Sequence, residues 1–192
     1  MDDAHQLGPD AAAEIATFAY ELGNLKREPR KGWRQALIAN PESVADHTCR
    51  VAQLASIIAA LEGGDPASAA HMAVWHDSQE TRSGDNNKTS KPFMTVVDHE
   101  TITAAQVERL PEAVRNALQR TVTEFETQAT IEAVSAKDAD KLECLFQALE
   151  YRAAGNTLMQ EWIDDSYEAL KTTTAIRIAD AALVTSPLKW RQ

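Results

Sequence analysis

PESVADHTCRVAQLASIIAALEGG, residues 41–64, reads as one amphipathic helix with both ends marked. Ser43 is the expected N-cap, Asp46 three residues on is an imperfect capping-box partner, and Gly63-Gly64 supplies the stop. His47 lies three residues after Val44, four before Val51 and seven before Leu54, so it belongs to the apolar stripe and faces the interior.

The same periodicity extends in both directions. Residues 10–26 carry Ala12, Ile15, Phe18, Ala19 and Leu22 at three- and four-residue steps, which predicts a first helix ahead of the irregular basic loop LKREPRKGWR. Asp65-Pro66 opens a third helix that runs through AHMAVWHD to a break at Ser83-Gly84. Residues 84–100, GDNNKTSKPFMTVVDHE, have no sustained period and predict a long loop. Helical text resumes over about 103–126, where Pro111 opens PEAVRNALQRTVTEFE, and again over 130–153 up to Gly155-Asn156. A last helix is expected over about 160–183. The reading is all-α: a helical bundle of about six main helices, with residues 1–192 forming one domain.

Composition agrees, since only 6% of residues are aromatic, Gly and Pro number seven each, and helix formers dominate. A formal charge of −10 repels a long polyanion, which excludes polymeric nucleic acid as a partner. A small phosphate ester remains compatible, because a divalent cation and local basic residues reverse the potential inside a pocket. Lys26, Arg27, Arg30, Lys31 and Arg34 form such a basic cluster. The longest apolar run, LASIIAAL at 54–61, falls well short of the roughly 20 residues needed to span a membrane. The acidic start MDDAHQLGPD resembles neither a secretory signal nor a transit peptide, so a cytoplasmic protein is expected. Cys49 and Cys144 lack CxxC partners and are expected as small buried side chains in a reducing compartment.

The chemistry concentrates on a few inward polar residues. His76 follows Ala69, Met72 and Ala73 at seven, four and three residues, so it too points inward, and Asp77 is its neighbour. A carboxylate beside an inward imidazole is costly unless a charge compensates it, and a cation does so most economically. On the long helix, Asp140 aligns with Ala133, Ala136 and Cys144, while Asp138 aligns with Ile131, Val134, Leu142 and Leu145. Periodicity does not choose between the two aspartates. Two imidazoles and two carboxylates make a mixed nitrogen and oxygen set, suited to Mn, Fe, Co or Mg rather than to a thiolate-rich structural zinc site.

A single His, a His-Asp doublet 29 residues later and a distant Asp form a pattern that resembles the HD-domain phosphohydrolases. LKREPRKGWR, NPESVADHTCRVAQLA, HDSQETRSGD and KDADKLECLFQALEY, in that order, resemble the branch that contains the 5'-deoxynucleotidases. The resemblance implies a compact helical bundle around one divalent cation, commonly Mn or Co, assembled as a homodimer. It assigns the metal to His47, His76, Asp77 and Asp140, and leaves Asp138 a supporting role behind the ligands. It assigns the family's two catalytic acids to Glu80 and Asp85, and its tryptophan to Trp33. Some relatives carry Arg immediately before that tryptophan; here Gly32 stands there, so Arg30, Lys31 and Arg34 all remain candidates for binding phosphate. Glu124 matches an acid that shapes the nucleotide pocket, with Glu126 as its alternative. After Asp85 the stretch NNKTSKPFM departs from the usual apolar continuation.

The implied reaction is hydrolysis of (deoxy)nucleoside 5'-monophosphates to nucleoside and phosphate, with water attacking phosphorus in line with the 5'-oxygen. Glu80 is the candidate for orienting or deprotonating that water, and Asp85 for protonating the leaving oxygen or binding the sugar. Two alternatives stand beside it: hydrolysis of another small phosphate ester or a nucleotide polyphosphate, and a helical interaction module without turnover.

Overall fold

Ser43 and Asp46 exchange hydrogen bonds across the start of the signature helix, Asp46 N to Ser43 Oγ at 3.1 Å and Ser43 N to Asp46 Oδ2 at 3.0 Å. The capping box is therefore complete with aspartate in the usual glutamate position. At the other end Gly63 adopts φ 84°, the left-handed conformation that stops the helix. The computed structural model describes residues 7–95 and 97–192. Among the described residues the fold is helical, with one isolated antiparallel bridge between Pro29 and Ser43.

In chain order the helices are α1 (Pro9–Leu22), α2 (Gly32–Gln35), α3 (Val44–Glu62), α4 (Pro66–Trp75), α5 (Glu80–Ser83), α6 (His99–Val107), α7 (Glu112–Thr127), α8 (Ile131–Ala153), α9 (Gln160–Glu168) and α10 (Thr173–Val184). The all-α expectation holds, but eight helices reach nine residues or more among the described residues, against the six expected. Two of the expected helices are each divided into two of nine residues or more, and the third expected helix breaks into α4 and the one-turn α5. The stretch 103–126 breaks at Leu110-Pro111 into α6 and α7, and α6 starts earlier, where the Asp98 side chain accepts from Thr101 N. The stretch 160–183 breaks before Thr172, whose side chain caps α10. The first helix ends at Leu22 and tightens into a 3-10 turn over Gly23–Lys26. Among its described residues the loop expected over 84–100 is irregular apart from a 3-10 turn at Lys91–Phe93, and it gives way to α6 at His99.

Helix α8 pairs mainly with α3, flanked by α4 and α9. Small residues permit the close approach: Ala55 and Ala59 of α3 and Ala136, Ala139 and Ala148 of α8 are all fully buried. Ile58, Met72, Leu142, Leu145 and Ile163 fill the space around them. A second apolar cluster joins Phe18, Val107, Leu110 and Leu118, with the Phe18 ring stacked on Trp75 at 6.1 Å between centroids. No helix among the described residues is long and apolar enough to cross a membrane. The cysteine expectation fails in part, because Cys49 lies exposed on α3 while Cys144 is half-buried on α8.

Asp138, 1% exposed, turns toward the link between α9 and α10. It accepts from Lys171 N at 3.0 Å, from Thr172 N at 2.6 Å and from Thr172 Oγ1 at 2.7 Å. With these bonds Asp138 organises that break. Removing it strands buried donors, so Asp138→Ala is expected to destabilise the metal-free protein by about 2–3 kcal/mol in urea denaturation.

Candidate metal centre and active site

The second predicted inward histidine sits where α4 unwinds. Ser78 N bonds to Trp75 O at 3.2 Å and Ser78 Oγ to the same carbonyl at 2.9 Å, so the serine competes for the helix's last acceptors. His76 and Asp77 therefore lie in a tight turn rather than within a continuous helix to Ser83. The Nδ1 atom of His76 lies 2.6 Å from Ala73 O. A carbonyl only accepts, so Nδ1 carries the proton and Nε2 presents its lone pair.

His47 is arranged the same way from α3. Its Nδ1 makes a close contact with the Glu143 carboxylate, and its Nε2 points at Asp140 Oδ1 (3.3 Å) and Asp77 Oδ2 (3.7 Å). Asp77 Oδ2 lies 3.0 Å from His76 Nε2. Despite these short separations, His47 Nε2, His76 Nε2 and Asp77 Oδ2 are buried without a hydrogen bond of acceptable geometry. One ligand atom each from His47, His76 and Asp140 fall within 4.8 Å of one another. Two buried imidazole nitrogens and the Asp77 oxygen, all unsatisfied, converge with the Asp140 carboxylate as a divalent cation would require, so the donor set fits one. Lys141 Nζ holds the outer oxygen of Asp140 at 2.9 Å.

The electrostatics carry the same message. Burial alone would raise Asp77, yet His76, Arg30 and His47 hold it well below the usual carboxylate range. Burial and Arg30 oppose protonation of His47, but Asp140 and Glu143 outweigh them and raise it to about 9. Glu80, on the one-turn helix α5, is pushed up to about 10 by burial and by the Asp77 and Asp85 carboxylates. A cation among these groups would act in the opposite direction on both.

Asp85 follows Gly84, whose φ of 70° turns the chain sharply. That conformation favours glycine, whereas a Cβ there would meet the mobile end of Lys31, at 2.7 Å from Nζ. Asp85 accepts from the Lys31 backbone N–H and lies 3.6 Å from Arg30 Nη1. Arg30 also reaches Asp77 at 3.5 Å and, through Nη2, Cys144 Sγ at 3.1 Å. Arg30, Trp33, Asp77, Glu80, Asp85 and Asp140 share one cavity of about 1150 Å³. Trp33 donates its indole N–H to Glu42 at 2.9 Å and meets Tyr151 edge-on at 5.3 Å.

Other expected residues fall differently. Lys31 contributes its backbone, while its ammonium pairs with Glu28 at 2.6 Å, and Arg34 is exposed and does not line the cavity. Glu124 accepts from Thr130 at 2.9 Å and is absent from the cavity wall. Its alternative Glu126 pairs with His99 at 2.9 Å, and His99 does line the cavity. Sequence reasoning missed His99, Lys137, Lys141 and Glu143. Glu143 left a usable signal, an acid one turn beyond Asp140 on the same face of α8. The departing loop contributes Asn86, Asn87, Lys88, Thr89, Lys91 and Pro92 to the wall, with Lys88 pinned to Asp165 of α9 at 2.5 Å.

Comparison with known proteins supplies the lineage. Residues 22–181 match the model of the HD domain. The human 5'-deoxynucleotidase HDDC2 is 33% identical over 142 residues, covering 73% of this chain and 69% of the human protein. The 5'-deoxynucleotidase hdd1 of Schizosaccharomyces pombe is 30% identical, covering 74% of each chain. Among solved structures, a conserved hypothetical protein from Pyrococcus furiosus superposes with a TM-score of 0.73 at 28% identity, covering 88% of this chain and 99% of its own. With the His, His-Asp and Asp side chains gathered at one point of a helical bundle, and with the match spanning most of its length, the chain belongs to the HD-domain family.

Proposed function

We propose that the protein is a metal-dependent phosphomonoesterase that converts (deoxy)nucleoside 5'-monophosphates to nucleoside and inorganic phosphate. The observation that carries this reading is the convergence of unsatisfied His47 Nε2, His76 Nε2 and Asp77 Oδ2 beside Glu80, Asp85 and Arg30. Its substrate class rests on the identity to relatives named as 5'-deoxynucleotidases. His47, His76, Asp77 and Asp140 would hold one divalent cation; their mixed nitrogen and oxygen donors suit Mn, Fe, Co or Mg, and the family resemblance favours Mn or Co among these. When bound, the cation supplies Lewis acidity, making an attacking water more acidic and neutralising phosphoryl charge.

The chain's own groups divide the remaining work. Arg30 and Lys141 line the cavity, and their N–H donors suit phosphoryl oxygens. Arg30 thus supplies, from two residues upstream, the cation that Gly32 lacks. Glu80, with an unpartnered buried oxygen, is the group that holds and moves a proton between the attacking water and the leaving oxygen. Asp85, fixed as an acceptor by the Lys31 backbone, suits a sugar hydroxyl. Trp33 walls the sugar side, and His99 with Glu126 behind it is the polar pair available to a base. We also read residues 1–192 as one domain of a cytoplasmic protein, in keeping with two free cysteines, one of them exposed. We propose a homodimer on the strength of the family resemblance alone.

One observation favours a second reading. Lys88, Lys91, Lys137 and Lys141 all line the same cavity, which gives a nucleotide polyphosphate both room and countercharge. A panel of ribo- and deoxyribonucleoside mono-, di- and triphosphates, assayed for phosphate and pyrophosphate with Mn, Co or Mg, separates the two. Release of inorganic phosphate from monophosphates is expected, and its loss in Asp77→Ala; equal rates in both proteins would sink the assignment. Glu80→Gln is expected to keep metal binding and lower kcat by about 10²–10⁴-fold.

A pH dependence follows from His47. Its value is raised from 6.5 to about 9, so in the metal-free protein its pairing with Asp140 and Glu143 stabilises the fold fully below pH 6.5 and is lost as pH rises through 9. Metal affinity runs the other way, rising over that window as the competing proton leaves. Calorimetric titration with Mn in buffers of different ionisation enthalpy is expected to show about one proton released per ion at pH 7.5; no release would contradict it.

A further inference from the structure

A buried ion-pair network that the reaction does not itself use lies behind the candidate metal centre. We propose that Arg50 is a positioning residue for that centre, acting through Glu143 on His47. The inference rests on the metal reading above.

Helix α3 carries His47 and, three residues on, Arg50; helix α8 carries Asp140 and, three residues on, Glu143. Each helix of the main pair therefore offers one candidate ligand and, one turn away on the same face, one brace. Glu143 is 1% exposed, and a buried carboxylate is costly without countercharge. Arg50 supplies it, with Nε at 3.0 Å and Nη2 at 2.8 Å both donating to Glu143 Oε1. That leaves Oε2 to accept from His47 Nδ1.

The consequence is geometric. With Glu143 fixed, the imidazole cannot spin, and Nε2 stays aimed at His76, Asp77 and Asp140. Arg50 is in turn held from outside, by Glu150 at 2.7 Å and Gln147 at 3.1 Å. A line of contacts thus runs from the surface to the centre, and the arginine fork is its middle link. Lysine, with a single ammonium, keeps the charge but not the two-pronged hold.

The test measures Mn²⁺ binding by calorimetry on metal-stripped full-length protein, with the His47 Nδ1–H resonance followed by NMR in the metal-free state. Arg50→Met is expected to weaken Mn²⁺ binding about 10-fold or more and to lose the protected Nδ1–H signal. Arg50→Lys falls between the two, and serves if the methionine variant does not fold. On a Glu143→Gln background, Arg50→Met is expected to add less than about 2-fold, because both act through one carboxylate. Glu150→Gln, which breaks only the outer contact, is expected to stay within about 2-fold of wild type. Wild-type affinity and an intact Nδ1–H signal in the Arg50 variants would overturn the proposal. So would a Glu150 variant as impaired as Arg50→Met, since that pattern belongs to general helix packing. If wild type takes up no Mn²⁺, the metal reading itself has failed and this inference with it.

Discussion

Burying two imidazole nitrogens and a carboxylate oxygen with no hydrogen-bond partner is the constraint on which the rest of this structure depends. Such atoms are tolerated only when the surrounding fold over-determines them. Here it does so by giving each histidine a fixed acceptor on the far side of its ring, Glu143 for His47 and the Ala73 carbonyl for His76. The free nitrogens have nowhere else to point. The alanine-lined approach of α3 to α8 brings Asp140 into the same space.

The cavity in front of this group is asymmetric in charge. Its inner end gathers Asp77, Glu80, Asp85 and Asp140, with Arg30 threaded between them. Its wall adds lysines from a loop and from α8. An acidic protein can thus present a locally cationic surface to a phosphate once the acids at the centre are neutralised. A net charge of −10 disfavours long polyanions without disfavouring small ones.

How much of this was legible depends on what each residue answers to. His47 was readable because one stripe of α3 is buried and the histidine lies on it. Asp140 was not separable from Asp138 by spacing, because α8 is covered from several sides and both carboxylates are buried, at 6% and 1%. One faces α3 and the turn after α4; the other faces the break between α9 and α10. That break was itself invisible in the text, since it is organised by Asp138 from a helix more than 30 residues away. His99 and Lys141 acquire meaning only when the cavity assembles. Arg34 looked equivalent to Arg30 within one basic run, yet the turn through α2 sends one inward and leaves the other in solvent.

The two braces and the two inner ligands of α3 and α8 stand 93 residues apart along the chain. In an unfolded polypeptide, bringing such distant points together is an entropic expense that grows with the logarithm of the separation. An ion gripped by His47 and Asp140 would therefore behave as a reversible staple across most of the molecule. Chelation would then remove more than a reagent: it would leave the two central helices tied by the His47–Glu143 contact and by the bonds of Arg50 to Glu143, Gln147 and Glu150.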